Sequence, residues 1–284
     1  MHSTCHIYVM AHRCNNKGWL DQAIKWEANG IECDVIKERG KFYTSNAEFL
    51  SSWEHLDVYL DYACQQLQKG PGKNIALFIF ELKYDAKDKL KASDINYIRQ
   101  QVQKKLLNPI NAHLYPQERR GLYAFYTTHK GAQYAGEIEK AIADMPLHKY
   151  EGISYDAGIP FLDLGEPDST SPSEALKWRD AHHVTNFMYS AGSSALDPSG
   201  ATERRLEEAG ELRRNHAFGV YGWVYNEPNG ASIDIREYNI DGVLGNTNDQ
   251  YGWLPSYFYH YGLNAYNKVS RYDWPPFLLN KDPR

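Results

Sequence analysis

Glu32 and Asp34 stand two residues apart in the apolar segment Gly30–Val35, which reads as a strand. On a strand that spacing puts both carboxylates on one face. Glu81 and Lys83 repeat the arrangement at the end of a second apolar stretch, and His12 closes a third. Asp156, then Trp223 with Tyr225 on one face, then Asn246 fall at or near the ends of three more. Several carboxylates, an imidazole and an amine at strand ends are costly to bury without counter-charge. A divalent cation held by Glu32, Asp34 and Glu81 would supply it, and all-oxygen ligands suit Mg2+ best, then Mn2+ or Ca2+. The competing reading is a rim of salt bridges in which Lys83 pairs with Glu81.

The elements that must position these groups alternate along the chain. Strands are predicted at Ile7–His12, Gly30–Val35, Asn74–Lys83, Gly121–Thr128, Glu151–Asp156, His183–Ser190, Phe218–Tyr225 and Asp241–Asn246. Amphipathic helices are predicted at Lys17–Ala28, Ala47–Gln68, Lys87–Leu107, Ala132–Asp144, Ser173–Asp180, Thr202–Arg214, Ala231–Tyr238 and within Asp249–Leu263. Eight strands alternating with eight helices predict an α/β fold, a (β/α)8 TIM barrel, whose active site lies at the carboxyl ends of the strands. A doubly wound sheet is the competitor, but no glycine-rich phosphate loop follows the first strand. No repeat or linker divides the 284 residues, so one domain spanning 1–284 is expected, with 160–172 as an excursion between barrel units.

Composition narrows the function. A net charge of -5 and a pI near 6.1 argue against nucleic acid and against a polybasic membrane-surface role. The longest apolar run, Ile75–Phe80, is too short to span a bilayer. The first residues do not resemble a signal peptide, which predicts a cytoplasmic chain as written, or a mature secreted form with its signal removed. The aromatic stretch Tyr251–Tyr261 suggests peripheral membrane contact, but no Lys or Arg follows before Lys268, so packing of a last helix is favoured. Four cysteines (Cys5, Cys14, Cys33, Cys64) without a CxxC do not make a zinc site and read as buried thiols or at most one disulfide. His182 and His183 read as structural or solvated.

At these residues the sequence resembles the sphingomyelinase D/phospholipase D toxins of venoms and their bacterial and fungal relatives, barrels akin to the glycerophosphodiester phosphodiesterases. Ile7-Tyr-Val-Met-Ala-His12 and Ala28-Asn-Gly-Ile-Glu-Cys-Asp34 are similar to the family's first two strands, and Phe80-Glu-Leu-Lys83 to its third. Val220-Tyr-Gly-Trp223 and Ile240-Asp-Gly-Val-Leu-Gly-Asn246 resemble its last two. Val269-Ser-Arg-Tyr-Asp-Trp-Pro-Pro-Phe277 looks like a shortened form of the C-terminal tail that plugs the barrel in the toxin branch. The resemblance implies His12 and Lys83 as catalytic side chains. It implies Mg2+ on Glu32, Asp34 and Glu81, and Lys83, Trp223 and Asn246 around a phosphate and headgroup pocket. It also implies a second catalytic histidine just after the second strand, where this chain has Thr44, and an aspartate where it has Asn226.

Three functions follow. The first is a divalent-metal-dependent phosphodiesterase or lyase acting on a small-molecule or lipid phosphate ester, with His12 as acid or base and Thr44, Asp156, Trp223, Tyr225 and Asn246 around the substrate. The second is a repurposed intracellular biosynthetic enzyme that eliminates or cyclises a non-lipid organic substrate on the same metal, for which the tyrosines Tyr126, Tyr155, Tyr189 and Tyr225 at strand ends would form the pocket. The third is a pseudoenzyme that binds metal and ligand without turnover.

Overall fold

A computed structural model describes residues 6–45, 54–83, 88–112, 114, 120–128, 135–157, 170–192, 201–225, 238–246, 267–273 and 275–278. Eight parallel strands close on themselves: β1 (His6–His12), β2 (Gly30–Glu38), β5 (Leu77–Leu82), β6 (Tyr123–Thr128), β7 (Glu151–Asp156), β8 (Phe187–Gly192), β9 (Gly219–Tyr225) and β10 (Gly242–Asn246). Helices α1 (Lys17–Lys25), α2 (Leu56–Leu67), α3 (Ala92–Val102), α5 (Ala135–Asp144), α6 (Pro172–Ala181) and α7 (Ala201–Leu212) lie between them. The architecture is the expected (β/α)8 barrel. The end of α3 passes through a π turn, Gln103–Leu107, into the short α4 (Asn108–Asn111). Pro109, which lacks an N–H, is accommodated there. The expected helices at 231–238 and 249–263 lie outside the described residues.

The structure adds a feature that the sequence reading lacks. β2 runs on into an antiparallel hairpin with β3 (Lys41–Thr44), and β3 pairs with β4 (Glu54–His55). The two-residue turn at Arg39 and Gly40 has φ of 51° and 74°, the left-handed pair that matches strand twist and favours glycine. Helix α2 accordingly starts at Leu56 rather than Ala47. Two strands start three or four residues later than expected. The turn Gly70–Asn74, with Pro71 at its start, delays β5 to Leu77. His183, at φ 54°, ends the α6 cap and delays β8 to Phe187.

Alternation along each strand sorts the side chains into two layers. Tyr126, Tyr155 and Tyr189 point outward into the helix layer. Tyr126 donates its hydroxyl to Glu151 at 2.8 Å, Tyr155 packs on Trp178 and Phe187, and Tyr189 donates to Thr170 O at 3.2 Å. The expected tyrosine pocket is therefore corrected: three of its members fill the space between barrel and helices. Glu151 is fully buried there with Arg99 at 3.0 Å, and at the lower end Arg213 pairs with Asp241 at 3.0 Å.

The interior is filled from below by the chain's own end. Phe277 is fully buried, with its ring 4.9 Å from Tyr123 and 5.0 Å from Phe125, edge to face, and against Gly219. Tyr123, Phe125 and Gly219 are inward residues at the amino ends of β6 and β9, so the tail plugs the lower mouth. β11 (Asn267–Lys268) adds to β1, and Asn29, fully buried, ties the seam by donating to Ile7 O and Val269 O at 2.9 and 2.8 Å. Phe277→Ala removes this plug and is expected to lower unfolding free energy by about 3–5 kcal/mol in urea titrations. A loss below about 1 kcal/mol would mean that the tail does not belong to the core.

Candidate metal centre and active site

The inward layer at the carboxyl ends of the strands is polar. β1 contributes His12, β2 contributes Glu32 and Asp34, β5 contributes Glu81, β7 contributes Asp156 and β9 contributes Trp223. In register, Asp34 is level with Glu81 and His12 with Asn246. One oxygen from each of Glu32, Asp34 and Glu81 lies within 4.8 Å of the others. His12 Nε2 is 3.7 Å from Glu32 Oε2.

The loop after β1 is shaped to hold these carboxylates. Arg13 adopts a left-handed φ of 55°, unusual for a residue with a side chain, and its N–H donates to Glu32 Oε2 at 2.6 Å. Asn15 donates through Nδ2 to Asp34 Oδ2 at 2.6 Å and accepts from the Asp34 N–H at 2.8 Å. Thr44, on β3 and fully buried, donates its hydroxyl to Asn15 O at 2.9 Å. Lys17 ties the start of α1 to Glu54 on β4 at 2.7 Å. The hairpin thus braces the loop that braces the ligands.

Electrostatics follow from burial and shared charge. Burial first, then Asp34 and Glu81, push the Glu32 carboxyl well above its ordinary range, against the Arg13 N–H and Lys83. Burial also works against ionisation of Asp34, but Lys83, the Asn15 amide and His12 outweigh it and hold that carboxyl below its usual range. Glu81 is raised, by burial first, with Lys83 opposing and Asp34 and Asp156 adding to the rise. Lys83 bonds Glu81 Oε1 and lies 3.1 Å from Asp34 Oδ1. Burial disfavours its charge, yet these carboxylates raise its pKa strongly, so it stays an ammonium.

One ammonium does not neutralise three carboxylates, and Glu32 Oε1 is buried without a hydrogen-bond partner. An orphaned oxygen on a carboxyl group that clusters with two others fits a hard divalent cation of the Mg2+, Mn2+ or Ca2+ class.

Across the mouth, Asp156 Oδ1 accepts from Trp223 Nε1 at 2.9 Å and from Ser190 Oγ at 3.1 Å. A Cβ at Gly192 would overlap the Trp223 backbone, so glycine lets β8 and β9 close under that indole. Between the two clusters Tyr221 faces inward, its hydroxyl 2.7 Å from Ser154 Oγ. Burial raises its pKa strongly, and it feels both Asp156 and Glu32.

The sequence reading missed Arg13, Asn15, Ser154, Ser190 and Tyr221. Tyr221 was within reach, because it shares a strand face with Trp223; the others carry no local pattern. Tyr225 and Asn246 sit at the ends of β9 and β10, their side chains outside the described part, as is Asn226 altogether. Cys14, Cys33 and Cys64 are free thiols, and burial pushes the first two well up.

The sphingomyelinase D/phospholipase D family model matches residues 2–254. The chain belongs to that family. Its members depend on a divalent metal and act on phosphate esters, so the family carries phosphodiesterase-type activity. Among curated proteins none matches. A mutant tryptophan synthase alpha-subunit from Pyrococcus furiosus is 8% identical over 93% of this chain and 99% of its own, with a TM-score of 0.50. N-(5'-phosphoribosyl)anthranilate isomerase from the same organism is 11% identical over 91% and 100%, with a TM-score of 0.47. At such identity the first likeness shows the barrel and nothing of the chemistry. Among the described residues no helix is long and apolar enough to cross a membrane.

Because burial and the neighbouring carboxyl groups raise the Glu32 pKa, a cation that binds its ionised form should bind more tightly as pH rises. Without metal, a carboxyl raised above its unfolded value supplies stability that is present at low pH and lost as pH rises through the folded value. The Tm gain from Mn2+ should therefore widen from pH 5 to 8, and calorimetry in two buffers should show proton release. A Kd independent of pH would contradict the shared-charge description.

Proposed function

We propose that this chain is a divalent-metal-dependent phosphodiesterase or lyase, with Glu32, Asp34 and Glu81 as metal ligands and His12 as the acid or base. The observation that carries the reading is the orphaned Glu32 Oε1 in an acidic triad with His12 Nε2 at 3.7 Å from the same carboxylate.

A bound Mg2+ or Mn2+ would polarise a phosphoryl oxygen and offset developing negative charge. The remaining tasks fall to side chains of this chain. His12, at the rim of a buried mouth, exchanges a proton with an oxygen bonded to phosphorus. Lys83, whose pKa its carboxylate neighbours raise, adds positive charge beside the non-bridging phosphate oxygens. Trp223 presents an indole fixed by Asp156, and the two would contact the alcohol part of the ester; Tyr225 and Asn246, at the ends of β9 and β10, are added to that pocket from the sequence alone. Thr44 supports the Asn15 loop from behind, so its part in substrate binding is indirect.

The test is phosphorus NMR of the protein with Mg2+ and a panel of lysophosphatidylcholine, sphingomyelin and glycerophosphodiesters. A new cyclic-phosphate or monoester signal is expected, falling about 10²–10⁴-fold in His12→Ala. Glu32→Ala and Asp34→Ala should abolish metal binding itself. Silence across the panel with metal bound would refute the reading, and metal affinity unchanged in Asp34→Ala would return the carboxylates to rim salt bridges.

A further inference from the structure

Lys83 follows β5 at the mouth, and its N–H donates to Val35 O at 2.9 Å, one rung past the Val35–Leu82 pair. Strand alternation puts it on the same face as Glu81, two residues earlier. Its ammonium bonds Glu81 Oε1 and stands 3.1 Å from Asp34 Oδ1. Burial works against that charge, but Glu81 and Asp34 outweigh it. The acidic triad therefore already holds a cation, supplied by the chain itself.

That cation fits badly. Among the described residues, Asp34 Oδ1 receives no hydrogen bond, close as the ammonium is, and neither does Glu32 Oε1; both atoms are buried. Their sister oxygens are taken. Glu32 Oε2 accepts from the Arg13 N–H at 2.6 Å, and Asp34 Oδ2 from Asn15 Nδ2 at 2.6 Å. The loop after β1 thus ties one oxygen of each buried carboxyl group and leaves the other open. An ammonium is one charge with three directed donors, whereas an oxygen-seeking divalent ion draws in several oxygens at once. Lys83 answers part of the triad's charge and few of its oxygens.

Two cations on the same carboxyl groups repel each other strongly at such short range. An ion that takes up the open oxygens must therefore drive the ammonium from Asp34 and Glu81. The side chain is able to yield, being a flexible stem anchored at a strand end and still 18% exposed.

We propose that Lys83 is a placeholder cation, bridging Asp34 and Glu81 until a divalent ion displaces its ammonium. The proposal rests on the metal reading of the triad and adds that the site is built for exchange. The metal competes with an internal charge, so its affinity is lower than the three carboxyl groups alone would give. Once displaced, the tethered ammonium has lost its carboxylate partners and is open to an anion such as phosphate. Metal and phosphate then favour each other's binding, as linkage requires.

The experiment uses the full chain, stripped of metal with a chelator, as wild type, Lys83→Met, Lys83→Arg and Asp34→Ala. Mn2+ affinity is read by electron paramagnetic resonance, and Tm by calorimetry with and without Mn2+. Lys83→Met removes the competitor, so it should bind Mn2+ about 5–150-fold tighter than wild type, the size of an ordinary coupling. Its metal-free Tm should fall below that of wild type, and added Mn2+ should close the gap. Lys83→Arg keeps the charge and should bind no tighter than wild type, and Asp34→Ala should lose the ion. Wild type supplies a check that needs no stable methionine variant. The 15N signal of the Lys83 ammonium, identified by its absence from Lys83→Arg, should shift when Mg2+ is added. Mn2+ affinity in Lys83→Met equal to or below that of wild type, or a Lys83 signal unmoved by saturating Mg2+, overturns the proposal and leaves the metal site standing. No Mn2+ binding by wild type, or undiminished binding by Asp34→Ala, overturns the metal reading and the proposal with it.

Discussion

Three carboxyl groups share the mouth of a barrel with one ammonium, and the rest of the site depends on that imbalance. Like charges within 4.8 Å in a half-buried place repel, and burial adds to the cost of each. Glu32 answers with a raised pKa, Asp34 by taking Lys83 and Asn15, Glu81 by taking Lys83. The left-handed Arg13, the paired Asn15 and the β3–β4 hairpin behind them are local structure recruited to keep these oxygens in one place. Such positioning has a purpose in a cation site and little in a salt-bridge rim, where an apolar replacement is often no less stable.

The scaffold keeps this strained end rigid by packing the other end densely. The tail ring Phe277 against Tyr123 and Phe125, the Asn29 clamp across the β1–β2 seam, and the buried Arg99–Glu151 and Arg213–Asp241 pairs all lie below or outside the polar mouth. Arg99 and Glu151 are bonded to each other in the helix layer; at the mouth Glu32 Oε1 is left without a hydrogen-bond partner. That division, stability below and chemistry above, is what a (β/α)8 barrel permits.

Much of the fold was legible because each barrel strand is a short apolar run and the charges fall at its end. Glu32, Asp34 and Glu81 stood out because strand alternation alone puts the first two on one face. Position at a strand end misled where aromatics were concerned, because alternation was not applied to them. Tyr126, Tyr155 and Tyr189 sit one residue out of phase with the inward layer, and a buried tyrosine is as much at home against a helix as inside a barrel. The β3–β4 hairpin was overlooked because its strands are four and two residues long, although Arg39–Gly40 is a turn signal. Asn15 was invisible for a different reason. Its bonds to Asp34 span nineteen residues of sequence, and no local pattern announces a contact of that range.

The central claim is that the acidic triad is a divalent-metal site, and anomalous diffraction from crystals soaked in Mn2+ addresses it directly. The expected result is a single strong anomalous peak between Glu32, Asp34 and Glu81, with Glu32 Oε1 among its ligands and Lys83 no longer bridging the other two. A map with no peak there, and Lys83 still bound to Asp34 and Glu81, would contradict it.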